Sequence, residues 1–263
     1  MINFYLSGNE VHDRVIKSMY EGCPETKELI NDFEFKPSDV AVVFGVYKSK
    51  VPISYPRGKV IQRQRQNNRD VLVLETGYIN RGDGENHHYA AGFNGLNGRA
   101  DFKNKNMPGD RFFSLGIEVK PYREGKNIVL CGQVPWDASV DHTDHIQWLS
   151  DAFRLIRMNS GRPVIVRHHP NVSRPARTFL EDISDAYAVV TFNSNSGVEA
   201  LIEGVPVFAF DEGSMCWPVC NKSFGVLSSP ARPDREQWLN DLAYAQWTPD
   251  EMKEGLAWKH LFR

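Results

Sequence analysis

The sequence has no apolar run near the ~18 residues that a membrane helix requires, so no span is expected. Its first residues, Met1-Ile2-Asn3-Phe4-Tyr5-Leu6-Ser7, lack the basic start of a secretory leader, and the expected compartment is the cytoplasm. Cysteine is sparse: Cys23, Cys131, Cys216 and Cys220 are four in 263 residues, too few and too scattered for a disulfide framework. Cys216 and Cys220 are near neighbours but have no companions at zinc-ligand spacing, so buried thiols are expected. His87-His88 and His142-x-x-His145 have no carboxylate at motif spacing, which argues against a metal. Internal repeats and low-complexity segments are absent. Net charge is scarce too, −2 from 31 basic and 33 acidic residues, so any attraction to a polyanion must come from a local patch.

What is present is a series of short β-branched runs separated by helix-length segments. Residues 2–6, 39–46 and 71–74 read as buried strands, with a helix over 12–20. Residues 107–124 read as a connection. A second series follows: strands at 127–133, 164–166, 189–192 and 205–210, an amphipathic helix over 144–158, and helices at 236–244 and 249–261. This is the grammar of parallel α/β sheets. The expected division is residues 1–122, residues 123–245, and a last helix, 246–263, that crosses back to the first domain.

The most informative stretch is residues 164–206. Val164-Ile165-Val166 breaks into Arg167-His168-His169-Pro170. Val189-Val190-Thr191-Phe192 breaks into Asn193-Ser194-Asn195-Ser196-Gly197 and then a helical pattern. In such sheets ligands bind beyond the carboxyl ends of the strands. Arg167 and His169 offer donors there, and the expected helix start at Ser194, Asn195, Ser196 and Gly197 offers backbone N–H groups, so a phosphate or diphosphate fits. Glu199 suits ribose hydroxyls. A plain helix cap and a surface loop are the structural alternatives.

The Arg-x-His-Pro element, the serine-rich turn with Gly197-Val198-Glu199-Ala200, and Gly204-Val205-Pro206-Val207 resemble the nucleotide-sugar half of GT-B glycosyltransferases. That half is similar to the one in bacterial capsule and sialic-acid transferases, and the resemblance covers about residues 126–245. It implies an α/β fold of two Rossmann-like halves facing a central cleft. It also implies a nucleoside-diphosphate sugar as donor, UDP-sugar first, with no permanently bound cofactor. Gln133 and Asp137, in the loop after the first strand of this half, become further donor contacts. The loop at Asp211-Glu212-Gly213-Ser214 and Trp217 would frame the sugar or base, although Trp217 serves equally as packing.

Between 40 and 69 there is no Asp or Glu, while Lys48, Lys50, Arg57, Lys59, Arg63, Arg65 and Arg69 all occur, interleaved with Tyr47, Tyr55 and amides. Such a patch suits a phosphate backbone, or is a solvated helix face. Beyond it, Glu75-Thr76-Gly77-Tyr78-Ile79-Asn80-Arg81 and Gly92-Phe93-Asn94-Gly95-Leu96-Asn97-Gly98-Arg99-Ala100-Asp101 form a long polar segment. Glu75 or Asp101 would be the general base, or a carboxylate that satisfies loop N–H groups or pairs with Arg81 or Arg99. This segment also looks like proteins of tailed bacteriophages, whose GT-B enzymes place sugars on hydroxymethylated pyrimidines. The acceptor expected from that resemblance is double-stranded DNA carrying 5-hydroxymethylcytosine, in the host cytoplasm. Tyr78, Phe93, Arg81, Asn94, Asn97 and Arg99 would serve the flipped base. Two alternatives stand beside it. One is a capsule or lipopolysaccharide glycan transferase using a CMP- or UDP-sugar. The other is a GT-B protein that binds nucleotide or DNA without transfer.

Overall fold

The computed structural model describes residues 1–31, 34–46 and 56–263. In chain order the elements are β1 (Ile2–Tyr5), α1 (Glu10–Gly22), β2 (Lys27–Ile30), β3 (Val40–Phe44), α2 (Pro56–Gln66), β4 (Asp70–Thr76), β5 (Tyr89–Phe93) and α3 (Asp110–Ser114). Then come β6 (Asn127–Cys131), α4 (His145–Asn159), β7 (Val164–Arg167), α5 (Phe179–Ile183), β8 (Ala186–Thr191), α6 (Ser196–Ile202) and β9 (Val207–Ala209). The chain ends with α7 (Glu236–Ala243), β10 (Gln246–Trp247), α8 (Pro249–Lys253) and α9 (Leu256–Leu261). They form two compact units, Met1–Phe112 with Leu239–Arg263, and Phe113–Trp238.

The division falls at 112/113 and 238/239 rather than at 122/123 and 245/246, and hydrogen bonds explain where. Arg111 donates to Glu251, to the carbonyls of Ala243 and Gln246, and lies 3.9 Å over the Trp247 ring, which ties it to the first unit. The next stretch instead bonds the second unit, Lys120 N–H to the Ile202 carbonyl at 2.9 Å and Arg123 N–H to that of Gly204 at 3.0 Å.

The first unit holds a six-stranded sheet in the order β10-β5-β4-β3-β1-β2. The four strands from β2 to β4 run parallel, while β5 is antiparallel to β4 and β10 to β5. Both faces are covered, which is why the central strands are apolar throughout rather than alternating. Val40, Val42, Phe44, Leu72 and Leu74 point to a core shared with Ile16, Met19, Trp247, Met252 and Trp258. Ala41, Val43, Val71 and Val73 point the other way, onto Val60 and Ile61 of α2. Gln64, also on α2, is fully buried, and its amide donates to the carbonyls of Ser38 and Asp70. The second unit holds a four-stranded, wholly parallel sheet in the order β7-β6-β8-β9. Ile128, Leu130, Ala152, Ile156, Ala188, Val190 and Phe208 form its core.

The C-terminal helices close the first unit through a backbone approach. A Cβ built on Gly22, the last residue of α1, would lie 1.9 Å from the Met252 carbonyl oxygen and 2.8 Å from the Gly255 nitrogen. Backbone atoms cannot yield as a side-chain tip does. Gly22→Ala is therefore expected to destabilise the first unit by about 1–3 kcal/mol, read as a lower urea midpoint at unchanged m-value. An unshifted midpoint would show that α1 and α8 do not press together here.

Candidate functional site

The parallel strands of the second unit end in register. Arg167 of β7 pairs with Cys131 of β6, Cys131 with Thr191 of β8, and Thr191 with Ala209 of β9. Two residues past each end stand His169, Gln133, Asn193 and Asp211, a polar row across the carboxyl edge of the sheet. Three of them interlock. Gln133 Nε2 donates to Asn193 Oδ1 at 2.7 Å, and Asn193 N–H returns a bond to Gln133 Oε1 at 3.1 Å. Asn193 Nδ2 donates to Asp211 Oδ1 and to the Ser139 carbonyl, both at 2.8 Å. Asp211, 8% exposed, also accepts from Gly213 N–H at 3.0 Å, and its Oδ2 meets His142 Nε2 at 2.9 Å. His145 Nε2 accepts from Gln133 N–H at 2.8 Å, so the proton of the neutral ring is on Nδ1. Burial holds this imidazole below the ordinary histidine range.

Several residues singled out from sequence have other occupations here. The Arg167 guanidinium forms a largely buried ion pair with Asp182 and donates to the Arg177 carbonyl at 2.9 Å, so it anchors the segment before α5. His169 is half-buried, and its Nδ1 accepts from Asn171 N–H at 3.2 Å. The N–H groups expected to be open at the start of α6 are used internally. Ser194 N–H bonds Thr191 Oγ1, Ser196 N–H bonds Ser194 Oγ, and Gly197 N–H bonds the Ser194 carbonyl. With seven residues, α6 also has a short dipole. Gly197 is glycine for packing, since a Cβ there would lie 2.7 Å from Cys216 Sγ. Ser196 faces the Cys131 thiol, whose pKa burial pushes up to about 12. Glu199 Oε1 accepts from Asn195 Nδ2 at 3.1 Å. Asp137 caps the short turn Ala138–Val140 through Ser139 N–H at 2.8 Å.

At the carboxyl edge of the first unit, Glu75 lies near the end of β4, and its Oε1 accepts from Thr76 N–H at 2.9 Å. Gly45, at φ +72°, ends the neighbouring β3. A Cβ on it would be 2.8 Å from Arg57 Nη1 and 3.6 Å from Glu75 Oε2, so this glycine keeps room for the two charged groups. Arg57 Nη1 also donates to the Phe44 carbonyl at 2.9 Å, and His12 stacks on the Phe44 ring at 3.9 Å.

Asp101 does not share this edge. Because β5 is antiparallel, Thr76 pairs with Tyr89 while Leu72 pairs with Phe93, and Phe93 bridges to Asp101 at the far end. Burial works to raise the Asp101 carboxyl, but Lys103, through its backbone N–H and its ammonium, outweighs that and leaves the pKa below the ordinary value. That makes it a weak base. Asn94 is at the same far end, bonded to Val71 N–H and Asp70, and Asn97 Oδ1 accepts from Tyr78 Oη at 3.4 Å.

Tyr78 and Phe93 are buried, Tyr78 with its phenol pKa raised by that burial, and Phe93 against Phe262, so neither is available to stack on a base. Arg81 and Arg99 are exposed, and Lys59, Arg63 and Arg65 lie on the solvated side of α2. Arg69 pairs with Asp39. Lys48 and Lys50, with Tyr47 and Tyr55, lie outside the described residues. The DNA-acceptor expectation thus keeps an exposed basic helix face but loses its aromatic half. Among the described residues no group of three His, Cys, Asp or Glu gathers for a metal, and no helix is long and apolar enough to cross a membrane.

The sequence reading passed over Ser139, His142, His145 and Asp182 as part of a polar centre; it named the Asp211 loop only as a frame for the sugar or base, and left a plain cap as the alternative for Asn193. One legible signal was the polar residue two places after each β-branched run.

Burial also sets a pH dependence. His12, His88, His145 and His260 are each held below the ordinary histidine range, with burial the first cause. In the window around pH 5–7 the unfolded chain therefore binds more protons than the folded one, and stability falls as pH falls through the histidine range. The urea midpoint is expected to drop from about pH 7 to about pH 5, and a midpoint flat over that window would contradict the burial of these rings as neutral groups.

No family model and no curated protein matches the sequence. Among solved structures, the chain is similar to the beta Kdo 2,4 transferase of Thermosulfurimonas dismutans KpsC. The TM-score is 0.61 at 17% identity, covering 93% of this chain and 89% of that one. It is also similar to the beta Kdo 2,7 transferase of the same KpsC, with TM-score 0.58 at 16% identity, covering 97% and 98%. At this identity the likeness is one of fold: a mixed α/β chain with parallel sheets, of GT-B type.

Proposed function

We propose that the chain is a glycosyltransferase that moves a sugar from a CMP- or UDP-activated donor to a glycan acceptor of the capsule or lipopolysaccharide kind. The observation that carries this is the polar row at the carboxyl edge of the second sheet, where such folds hold ligands: Gln133, Asn193 and Asp211 interlock and His169 stands beside them in register. The fold likeness to two Kdo transferases supports a glycan acceptor over DNA, and makes Kdo the first sugar to try. In this proposal His169 and the Ser194 hydroxyl contact the donor phosphate and Glu199 the ribose, Gln133 and Ser196 hold that edge in shape, and Arg167 and Asp182 hold the His169 loop in place.

The transfer balances simply. The acceptor oxygen bonds the anomeric carbon as that carbon's bond to the phosphate oxygen breaks, and the electron pair leaves with the nucleotide. The acceptor proton goes to Glu75, which suits this role better than Asp101 with its lowered pKa.

The test is to incubate the protein with CMP- and UDP-sugars, CMP-Kdo among them, and either capsule-type oligosaccharides or hydroxymethylcytosine DNA, and to follow nucleotide release and added mass. Release that depends on the oligosaccharide is expected, with Glu75→Gln slowing it by about 10²–10⁴-fold at unchanged nucleotide affinity. Sugar mass on DNA would replace the glycan acceptor with DNA. No release and no nucleotide binding would end the transferase reading.

A further inference from the structure

The polar row contains a pair for which the donor contacts above leave no role. His142 stands in the turn between Ala138–Val140 and α4, outside both the His169 loop and the start of α6. Its Nε2 lies 2.9 Å from Asp211 Oδ2. An ionised carboxylate can only accept, so Nε2 carries the proton. Asp211 is itself pinned by Asn193 Nδ2 at 2.8 Å and Gly213 N–H at 3.0 Å, so it has little freedom to swing. The Phe192 ring, 5.7 Å away, packs beside the imidazole. A buried carboxylate thus fixes the tautomer and plane of a ring that is 46% exposed. Among the described residues nothing hydrogen-bonds Nδ1.

That combination costs something to build. An aspartate is taken almost out of water, at 8% exposure, and given three donors, one of them the imidazole of a half-exposed histidine. A histidine needed only for packing does not require a fixed tautomer. The same logic operates in hydrolase triads, where a buried carboxylate orients a histidine toward the reacting group. Here the open atom is Nδ1, in the loop after β6 that also carries Gln133 and Ser139.

We infer that His142 is a ligand-binding residue for a phosphate oxygen, taking up a second proton on Nδ1 as the ligand binds and donating from it, and that Asp211 is its positioning residue. The inference rests on the proposed donor site and names one further group in it: when the nucleotide departs, the new negative charge on its phosphate meets this N–H. Neither atom takes part in a covalent step.

The experiment is ¹⁵N NMR of the histidine rings, with calorimetry, on the full chain titrated with CMP, UDP, cytidine and inorganic phosphate. CMP is expected to move His142 Nδ1 to the shift of a protonated donor and to leave His145 in place. His142→Gln should weaken CMP at least tenfold with cytidine affinity unchanged, and His168→Gln, at an exposed position, should change neither. Asp211→Asn should weaken CMP and let the His142 proton occupy either nitrogen, a signature that general loosening does not give. Full CMP affinity in His142→Gln with a motionless Nδ1 would overturn the inference and leave the donor site standing. A wild type that ignores CMP and UDP, yet shifts at Nδ1 with inorganic phosphate, would keep the anion contact and remove the transferase reading. No shift with any of these probes would remove the anion contact.

Discussion

Asp211 is the group around which the second unit's carboxyl edge is arranged. Removing an ionised carboxylate from water costs several kcal/mol unless its oxygens are met by donors. Asn193 supplies one of them, but an asparagine amide is useful only if its own orientation is fixed. Gln133 and the Ser139 carbonyl fix it. The chain of bonds therefore runs from β9 through β8 to β6, and three loops that could each move alone are held as one surface. A site whose polar groups are set before a ligand arrives loses less to ordering when it binds.

The edge of the first unit is chemically different. Where the second has a carboxylate, Asp211, locked among amides and an imidazole, the first has Glu75 and Arg57 across Gly45, with His12 nearby on Phe44.

Much of the fold was legible because parallel strands buried on both faces leave uninterrupted apolar runs, and 40–44, 71–74, 128–131 and 186–190 all show one. The site was legible as a location but less so as a set of roles. Sequence gives residue types, not strand direction, and the antiparallel β5 is what carries Asn94 and Asp101 away from Glu75. It does not say which donors are already spent. Ser194, Ser196 and Gly197 look like an anion cradle until Thr191 and the Ser194 oxygens claim their N–H groups. Arg167 looks like a phosphate ligand until Asp182, fifteen residues on, is found beside it. Gly197 and Cys216 are joined by a contact that no local pattern announces. The histidines were set aside because metal spacing was the question put to them, and a His–Asp pair from distant loops has no spacing.

The return of residues 239–263 to the first unit has a consequence for how the chain comes off the ribosome. The second unit is one unbroken segment and is complete in sequence while the first still lacks Trp247, Met252, Trp258 and Leu261. Until they emerge, Phe4, Ile16, Met19 and Leu72 have lost part of their cover, and a parallel sheet waits with an exposed apolar face. Such partly finished sheets are where nascent chains aggregate or recruit chaperones. Residues 239–263, made after the whole of the second unit, are thus what covers the apolar face of the first.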